Sequence, residues 1–151
     1  MKIRFYSIWI PTLLAMLLVT GSARAQDVLT ESQVSLALAQ EAARAAVEQC
    51  RADGFQVTAA VVDRAGNLKA LIRDDGAGPL SVDSARRKAF TSSLFRSSTS
   101  ALVARAADPA AANLQNITDG LLFLGGGLPI TVGGEVVGGI GVGGAPSGAQ
   151  D

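Results

Sequence analysis

The sequence predicts an α+β fold in a single domain, built on one mostly antiparallel sheet with helices packed against it. Three observations support this fold class. The chain has 151 residues, a length that suits one domain. Local patterns follow the order of a long helix, two strands, further helices and then three strands, which gives five strands. Short turn sequences connect neighbouring strand patterns, as they do between antiparallel strands.

The first residues have the pattern of a cleaved secretory signal peptide. Lys2 and Arg4 precede an apolar run over residues 8–19, and an Ala-Arg-Ala motif follows that run. A membrane-spanning helix needs roughly 20 apolar residues, more than this run supplies. We therefore predict that residues 1–25 are removed and that residues 26–151 form a periplasmic or secreted domain with no membrane segment.

The composition excludes several classes of site. The chain has no His, so a Ser-His-Asp triad, a Cys-His dyad and an HExxH zinc site are impossible. The mature chain has a net charge of −3 and only four aromatic residues, all Phe, which argues against nucleic acid as a partner. Cys50 is the one thiol, so no disulfide can form within the chain. It could be a small buried apolar side chain, part of a disulfide between chains, or a thiolate ligand of iron.

The first helix is predicted from a capping box at residues 30–33 to Asp53, with Gly54 as its stop signal. Its apolar stripe is wide, which predicts that a sheet and another subunit cover it. The hairpin comes next, with strands over residues 55–62 and 68–73.

Two further helices are predicted after the hairpin. Ser81 has the features of an N-cap for a helix that continues to Ser98. A shorter helix covers residues 101–107 and ends at the Asp108-Pro109 pair.

The C-terminal part is rich in glycine and predicts three strands, at residues 121–124, 129–132 and 135–142. The Gly133-Gly134 pair forms the turn between the last two strands. One face of the last strand carries glycine at alternate positions, so a helix, another chain or a flat ligand could approach it closely. Residues 139–144 match G-x-G-x-x-G, but no helix follows, so we interpret them as strand rather than as a dinucleotide site.

The candidate site residues lie on the helix that begins near Ser81. Arg86, Arg87 and Lys88 form a basic cluster that could bind ligand carboxylates, although such a cluster is also typical of a solvated helix face. Ser84 and Thr91 lie near the face of Lys88 and would form the polar floor of a site. The Thr91 hydroxyl could equally bond only to its own helix backbone.

Five segments together resemble one protein family. They are VVDRAGNL at residues 61–68, RDDG at 73–76, RKAFTS at 87–92, GGGLPI at 125–130 and GEVVGGIGV at 134–142. In this order and spacing they resemble the GlcG/HbpS-like family of haem-binding proteins, over about residues 30–151.

The resemblance implies a five-stranded antiparallel sheet flanked by helices, assembly into homo-oligomers, and haem or iron binding in secreted members. It also implies a threonine as the ligand of the haem iron. Thr91 lies in the family block K-A-x-T and is therefore the candidate by position, with Thr58, Thr99 and Thr118 as alternatives. Two features depart from the family: some relatives bind haem through His, and relatives usually continue into a further helix.

The leading hypothesis is a periplasmic or secreted haem-binding protein that acts as a carrier, buffer or sensor component rather than as an enzyme. Thr91 would hold the iron, and the neighbouring Ser84, Arg86, Arg87 and Lys88 would contact the rest of the haem. In one alternative, Arg87 and Lys88 bind a small hydroxy acid, and Lys88 or Asp63 acts as a general base. In the other, the chain is a ligand-free assembly module.

Overall fold

The sheet has four antiparallel strands in the order β2-β1-β4-β3. The computed structural model describes residues 29–151, so the predicted signal peptide lies outside the described residues. The elements are α1 (Leu36–Ala52), β1 (Thr58–Asp63), β2 (Leu68–Arg73), α2 (Leu80–Phe95), α3 (Thr99–Ala106), β3 (Gly127–Val132) and β4 (Glu135–Gly143), with two 3₁₀ turns at Pro109–Ala111 and Leu114–Asn116. Helix α1 packs on one face of the sheet and α2 on the other.

Helix α1 begins later than the predicted capping box. The N-cap is Ser35, whose hydroxyl accepts a hydrogen bond from the N–H of Leu38 at 3.2 Å. The predicted stop at Gly54 is confirmed, because this glycine has a φ of +87° after the helix. The buried side of α1, formed by Ala39, Ala43, Val47 and Cys50, packs against the sheet.

The predicted hairpin is confirmed as β1 and β2, which pair from Thr58 and Arg73 to Val62 and Leu68. Its turn is fixed by Asp63, whose carboxylate accepts hydrogen bonds from the N–H groups of Ala65 and Asn67 at 3.0 and 2.9 Å. The Asp63 carboxylate is therefore bound into the turn.

Helix α2 differs from the prediction at both ends. Ser81 lies inside the helix rather than at the N-cap, and its hydroxyl forms a buried hydrogen bond with the hydroxyl of Thr58 at 2.7 Å. The helix ends at Phe95 because Arg96 adopts a left-handed conformation with φ +51°. Ser98 instead caps α3 through a hydrogen bond from the N–H of Ala101.

The predicted fifth strand, at residues 121–124, is wrong. This segment has no strand partner in the described part of the chain, and its backbone groups bond instead to side chains of α2. Arg87 donates to the carbonyl oxygen of Leu121 at 2.6 Å, and the Thr91 hydroxyl accepts from the N–H of Leu122 at 2.8 Å. Side chains thus take the place of a neighbouring strand.

The predicted β3–β4 hairpin is confirmed, and both residues of its Gly133-Gly134 turn have positive φ. The glycine face of β4 is covered by α2. A Cβ at Gly139 would lie 2.5 Å from the carbonyl oxygen of Ala89, and a Cβ at Gly143 would lie 3.0 Å from the nitrogen of Ala85. Because the helix fills this face, it does not offer a surface for a flat ligand.

Candidate ligand-binding site

The structure places Thr91 and Arg87 together, beneath the segment that was predicted as a strand. The Thr91 hydroxyl is fully buried, donates to the carbonyl oxygen of Arg87 at 2.7 Å and accepts from the N–H of Leu122. Arg87 donates to the carbonyl oxygens of Gly120 and Leu121. Both side chains therefore hold this segment against α2.

Lys88 lies elsewhere, in the interior beside β4. Its side chain has no exposed surface, and its ammonium group donates to the carbonyl oxygen of Val142 at 2.9 Å. It also forms an ion pair with the carboxylate of Asp151, which in turn accepts from the N–H of Ala145 at 2.8 Å. Sequence reasoning missed this pair, because 63 positions separate the two residues and no local pattern links them.

Ser84 and Arg86 occupy two further environments. The Ser84 hydroxyl lies near the backbone of Gly143, where a Cβ on that glycine would be 2.9 Å away. Arg86 is half-exposed and donates to Asp83 at 3.0 Å. The five predicted residues thus do not line one pocket in this structure, and their assignment to a ligand stays a prediction.

The remaining candidate threonines differ in exposure. Thr58 is buried against Ser81, and Thr99 is buried with its hydroxyl accepting from the N–H of Gly127 at 2.8 Å. Thr118 is exposed and lies in the wall of an apolar groove. Of the four threonines considered, only Thr118 lines a groove that a ligand could enter.

We call this groove the α2 groove. Its volume is about 180 Å³, and it is lined by Leu94, Phe95, Ile117, Thr118 and Leu121. Phe95 also packs edge-to-face against Phe123, with ring centroids 5.4 Å apart, which fixes one wall. Arg87 binds the backbone of the wall residue Leu121, so it is the nearest of the predicted basic residues by contact.

A second groove lies between α1 and the β3–β4 half of the sheet, and we call it the α1–β3 groove. Its volume is about 240 Å³, and it is lined by Ala46, Gln49, Cys50, Gly126, Leu128, Ile140, Val142 and Asp151. Burial raises the pKa of the Cys50 thiol, and the negative charges of Asp151 and Asp53 raise it further. The thiol is therefore protonated at neutral pH, as expected for a small apolar side chain.

The hydroxy-acid hypothesis needs groups that the structure separates. Lys88 is paired with Asp151 in the interior, whereas Arg87 is bound to the backbone of residues 120 and 121. Asp63 is bound into the β1–β2 turn.

Among residues 29–151, no three His, Cys, Asp or Glu side chains lie close enough to hold a metal ion. No helix in that range is long and apolar enough to cross a membrane.

Three of the solved structures similar to this chain are the following. HbpS from Streptomyces reticuli, as a double mutant, is 49% identical with a TM-score of 0.80, over 86% of this chain and 87% of that one. The ORFY protein of Klebsiella pneumoniae is 29% identical with a TM-score of 0.73, over 82% and 86%. A PduOC–haem complex is 26% identical with a TM-score of 0.64, over 71% and 78%.

A comparison with family profiles agrees with these structures, whereas a comparison with curated proteins finds no match. A family profile described as haem-degrading protein HbpS-like matches residues 34–151, which is nearly all of the described chain. The predicted family resemblance is confirmed, and the chain belongs to the HbpS-like family.

Proposed function

We propose that this protein binds haem in the α2 groove and carries or buffers it without degrading it. One observation carries the proposal: Thr118 is exposed and lines an apolar groove, so its hydroxyl oxygen is accessible to a haem iron. The other three candidate threonines are buried and form hydrogen bonds within the chain; they are Thr58, Thr91 and Thr99. Membership of a haem-related family and likeness to a protein solved as a haem complex support haem as the ligand.

The groove residues fit part of a haem molecule. Leu94, Phe95 and Ile117 offer apolar contacts to the porphyrin, and the Thr118 hydroxyl offers a weak oxygen ligand. Arg87 would offer a propionate its Nη1 group, which lies 3.7 Å from the Asp83 carboxylate in this structure, because its Nε and Nη2 groups bind the backbone of residues 120 and 121. The groove is open and smaller than a porphyrin, so part of the ring would stay outside it. When bound, haem would supply an iron centre, and weak oxygen ligation suits exchange of the cofactor.

In this proposal, Thr91 acts on the site through the segment that it supports. Its hydroxyl holds the N–H of Leu122, next to the groove residue Leu121. Thr91 is then a positioning residue, and Arg87 combines a positioning role with propionate binding. Ser84, Arg86 and Lys88 contact other parts of the chain and are not assigned to the haem.

Three wider features belong to the same proposal. The signal-peptide pattern at residues 1–25 supports a periplasmic or secreted location. The carrier role is proposed on the weak oxygen ligand Thr118, which suits release of haem as well as its binding. Exposed apolar side chains on β3 and α1 support a homo-oligomer.

A haemin titration of residues 26–151, followed by the Soret band, tests the proposal. The parent protein should give a saturable shift, and Thr118→Ala should weaken binding about tenfold, or about 1.4 kcal/mol. Thr131→Ala is the matched control, because it removes an exposed threonine from the edge strand without altering the groove lining. Thr91→Ala should weaken binding less than Thr118→Ala.

Two results would overturn the proposal. A titration with no saturable shift would exclude haem binding, and the family membership would then describe only the fold. Loss of haem binding in Cys50→Ala, with binding by Thr118→Ala unchanged, would place the haem in the α1–β3 groove instead.

Incubating the complex with ascorbate tests the carrier role separately. The Soret band should persist, and its decay with release of iron would indicate degradation.

A further inference from the structure

The strongest unassigned feature is the buried pair of Lys88 and Asp151 at the end of the α1–β3 groove. The carboxylate of Asp151 is bound on both oxygens: one by the Lys88 ammonium group and the other by the N–H of Ala145 at 2.8 Å. The Lys88 side chain is fully buried, and that of Asp151 is 5% exposed. The protein thus contains an interior carboxylate-binding arrangement with one cationic donor and one backbone donor.

The backbone leaves space for this arrangement at Gly126. This glycine has a φ of +106°, and a Cβ on it would lie 2.6 Å from the Cβ of Asp151 and 3.0 Å from the Lys88 nitrogen. A side chain at this position would therefore collide with the side chain of Asp151 and crowd the Lys88 ammonium group.

An apolar groove leads from solvent to Asp151, which lies in its lining, whereas Lys88 does not line the groove. Cys50, Leu128, Ile140 and Val142 form its walls, and the exposed Gln49 lies at its mouth. Asp151 carries only one methylene, so it fills the charged end and leaves about 240 Å³ of groove free. A carboxylate attached to a longer alkyl chain would satisfy the same donors and would also bury apolar surface.

We propose that Lys88 and the N–H of Ala145 form a binding site for short-chain aliphatic monocarboxylates, which Asp151 occupies in this structure and blocks. This site is separate from the α2 groove and does not depend on haem binding there. Asp151 competes as an intramolecular ligand, so a free carboxylate binds only when Asp151 is displaced.

The donors and walls define the ligand class. Two donors match the two oxygens of a carboxylate, and no other charged side chain lines the groove in the described residues. A dicarboxylate would place its second charge against apolar walls, where an unpaired charge is costly. The groove therefore selects a single carboxylate with an apolar tail of a few carbons.

Rescue of Asp151→Ala by sodium hexanoate tests this site. The variant leaves the buried Lys88 ammonium group without its carboxylate, so its Tm should fall below that of the parent protein. Hexanoate should restore most of the lost Tm, whereas hexan-1-ol, with the same chain and no charge, should not. By NMR, hexanoate should shift the Ala145 amide and bind the variant about tenfold or more tighter than it binds the parent protein.

The double variant Lys88→Met with Asp151→Ala is the matched control. It has neither charge of the pair, so it should fold without help and should gain nothing from hexanoate. The proposal is wrong if hexanoate and hexan-1-ol raise the Tm of Asp151→Ala equally, or if the double variant responds to hexanoate as strongly as Asp151→Ala does.

If Asp151→Ala does not fold alone, refolding it with and without hexanoate gives the same comparison. The haemin titration of a folded Asp151 variant should match that of the parent protein.

Discussion

Asp74 is a nearly buried carboxylate that forms an ion pair with the exposed side chain of Arg51. The Arg51 Nε donates to one oxygen of Asp74 at 3.1 Å, and a second guanidinium nitrogen binds the other oxygen. These bonds hold the pKa of Asp74 below its usual range. An ion pair of this bidentate kind ties the last turn of α1 to the end of β2.

The lowered pKa predicts a specific loss of stability in acid. The folded state holds Asp74 ionised more strongly than the unfolded state does, so the contribution is fully present above the unfolded pKa of about 3.9. It is lost as the pH falls through the lower folded pKa. Asp74→Asn should lower the free energy of unfolding at pH 6 and should flatten its decline between about pH 5 and pH 2, measured by urea unfolding.

The neighbouring Asp75 supplies the control. It is exposed, and Asp75→Asn keeps the backbone N–H that donates to Asp74 at 2.8 Å. This variant should leave both the stability at pH 6 and its acid dependence close to those of the parent protein. Equal effects of the two substitutions would show that the Arg51–Asp74 pair does not cause the acid dependence.

The threonines show which features of the candidate site could be predicted from the sequence and which could not. Helical spacing predicted that Thr91, Ser84 and Lys88 form one polar floor, but Lys88 contacts Val142 and Asp151, whereas Thr91 contacts Leu122. Helical spacing could not show that the Thr91 hydroxyl binds Leu122, because that contact depends on the path of a distant segment. Thr118 carried no local signal beyond its residue type, and only the fold places it in a groove.

At the scale of elements, the contact between α2 and β4 depends on glycine at alternate strand positions. A Cβ at Gly141 would overlap the carbonyl oxygen of Ala85 and the nitrogen of Ala89, and would lie 2.9 Å from the Cβ of Lys88. These neighbours are mainly backbone atoms of a helix, which cannot rotate away. The close approach of helix and sheet therefore tolerates no side chain at this position.

Gly141→Ala should destabilise the protein by about 3 kcal/mol, the upper part of the range for overpacking a core. Gly78→Ala is the matched control, because a Cβ there meets no atom within 4 Å and the backbone φ is not positive. It should change stability by less than about 0.5 kcal/mol. Thermal and urea unfolding of both variants measure the difference. A Gly141→Ala protein as stable as the control would mean that α2 moves away from β4 at little cost.

Elements with local signals were the predictable ones. Both hairpins follow from turn residues and short strand patterns, and Gly54 ends α1 as expected. The segment at residues 121–124 has the composition of a strand but no partner in the described chain, because Arg87 and Thr91 satisfy its backbone. Helix α1 also begins later than predicted, because the Ser35 hydroxyl caps it rather than the capping box at residues 30–33.

At the scale of the whole molecule, residues 31–151 form one compact unit, and the α2 groove and the α1–β3 groove both lie in it. The α2 groove has an exposed threonine and is proposed for haem. The α1–β3 groove ends in a buried ion pair and is proposed for a small carboxylate. Because different residues line the two grooves, the Thr118 and Asp151 variants should separate the two activities.

The edge strand β3 is the feature that predicts self-association. Leu128 and Val132 are each 57% exposed on this strand, and its outer edge has no partner in the described residues. An exposed apolar edge strand is a template for pairing with another chain. We therefore expect residues 26–151 to form a homo-oligomer, with a mass by light scattering that is a multiple of the monomer mass.

Leu128→Lys should shift the equilibrium towards the monomer, because it places a charge on the apolar face of the edge strand. Leu80→Lys is the control: Leu80 is 84% exposed at the start of α2, outside β3, so the same substitution there should leave the mass unchanged. Equal masses for both variants and the parent protein would exclude β3 as the interface.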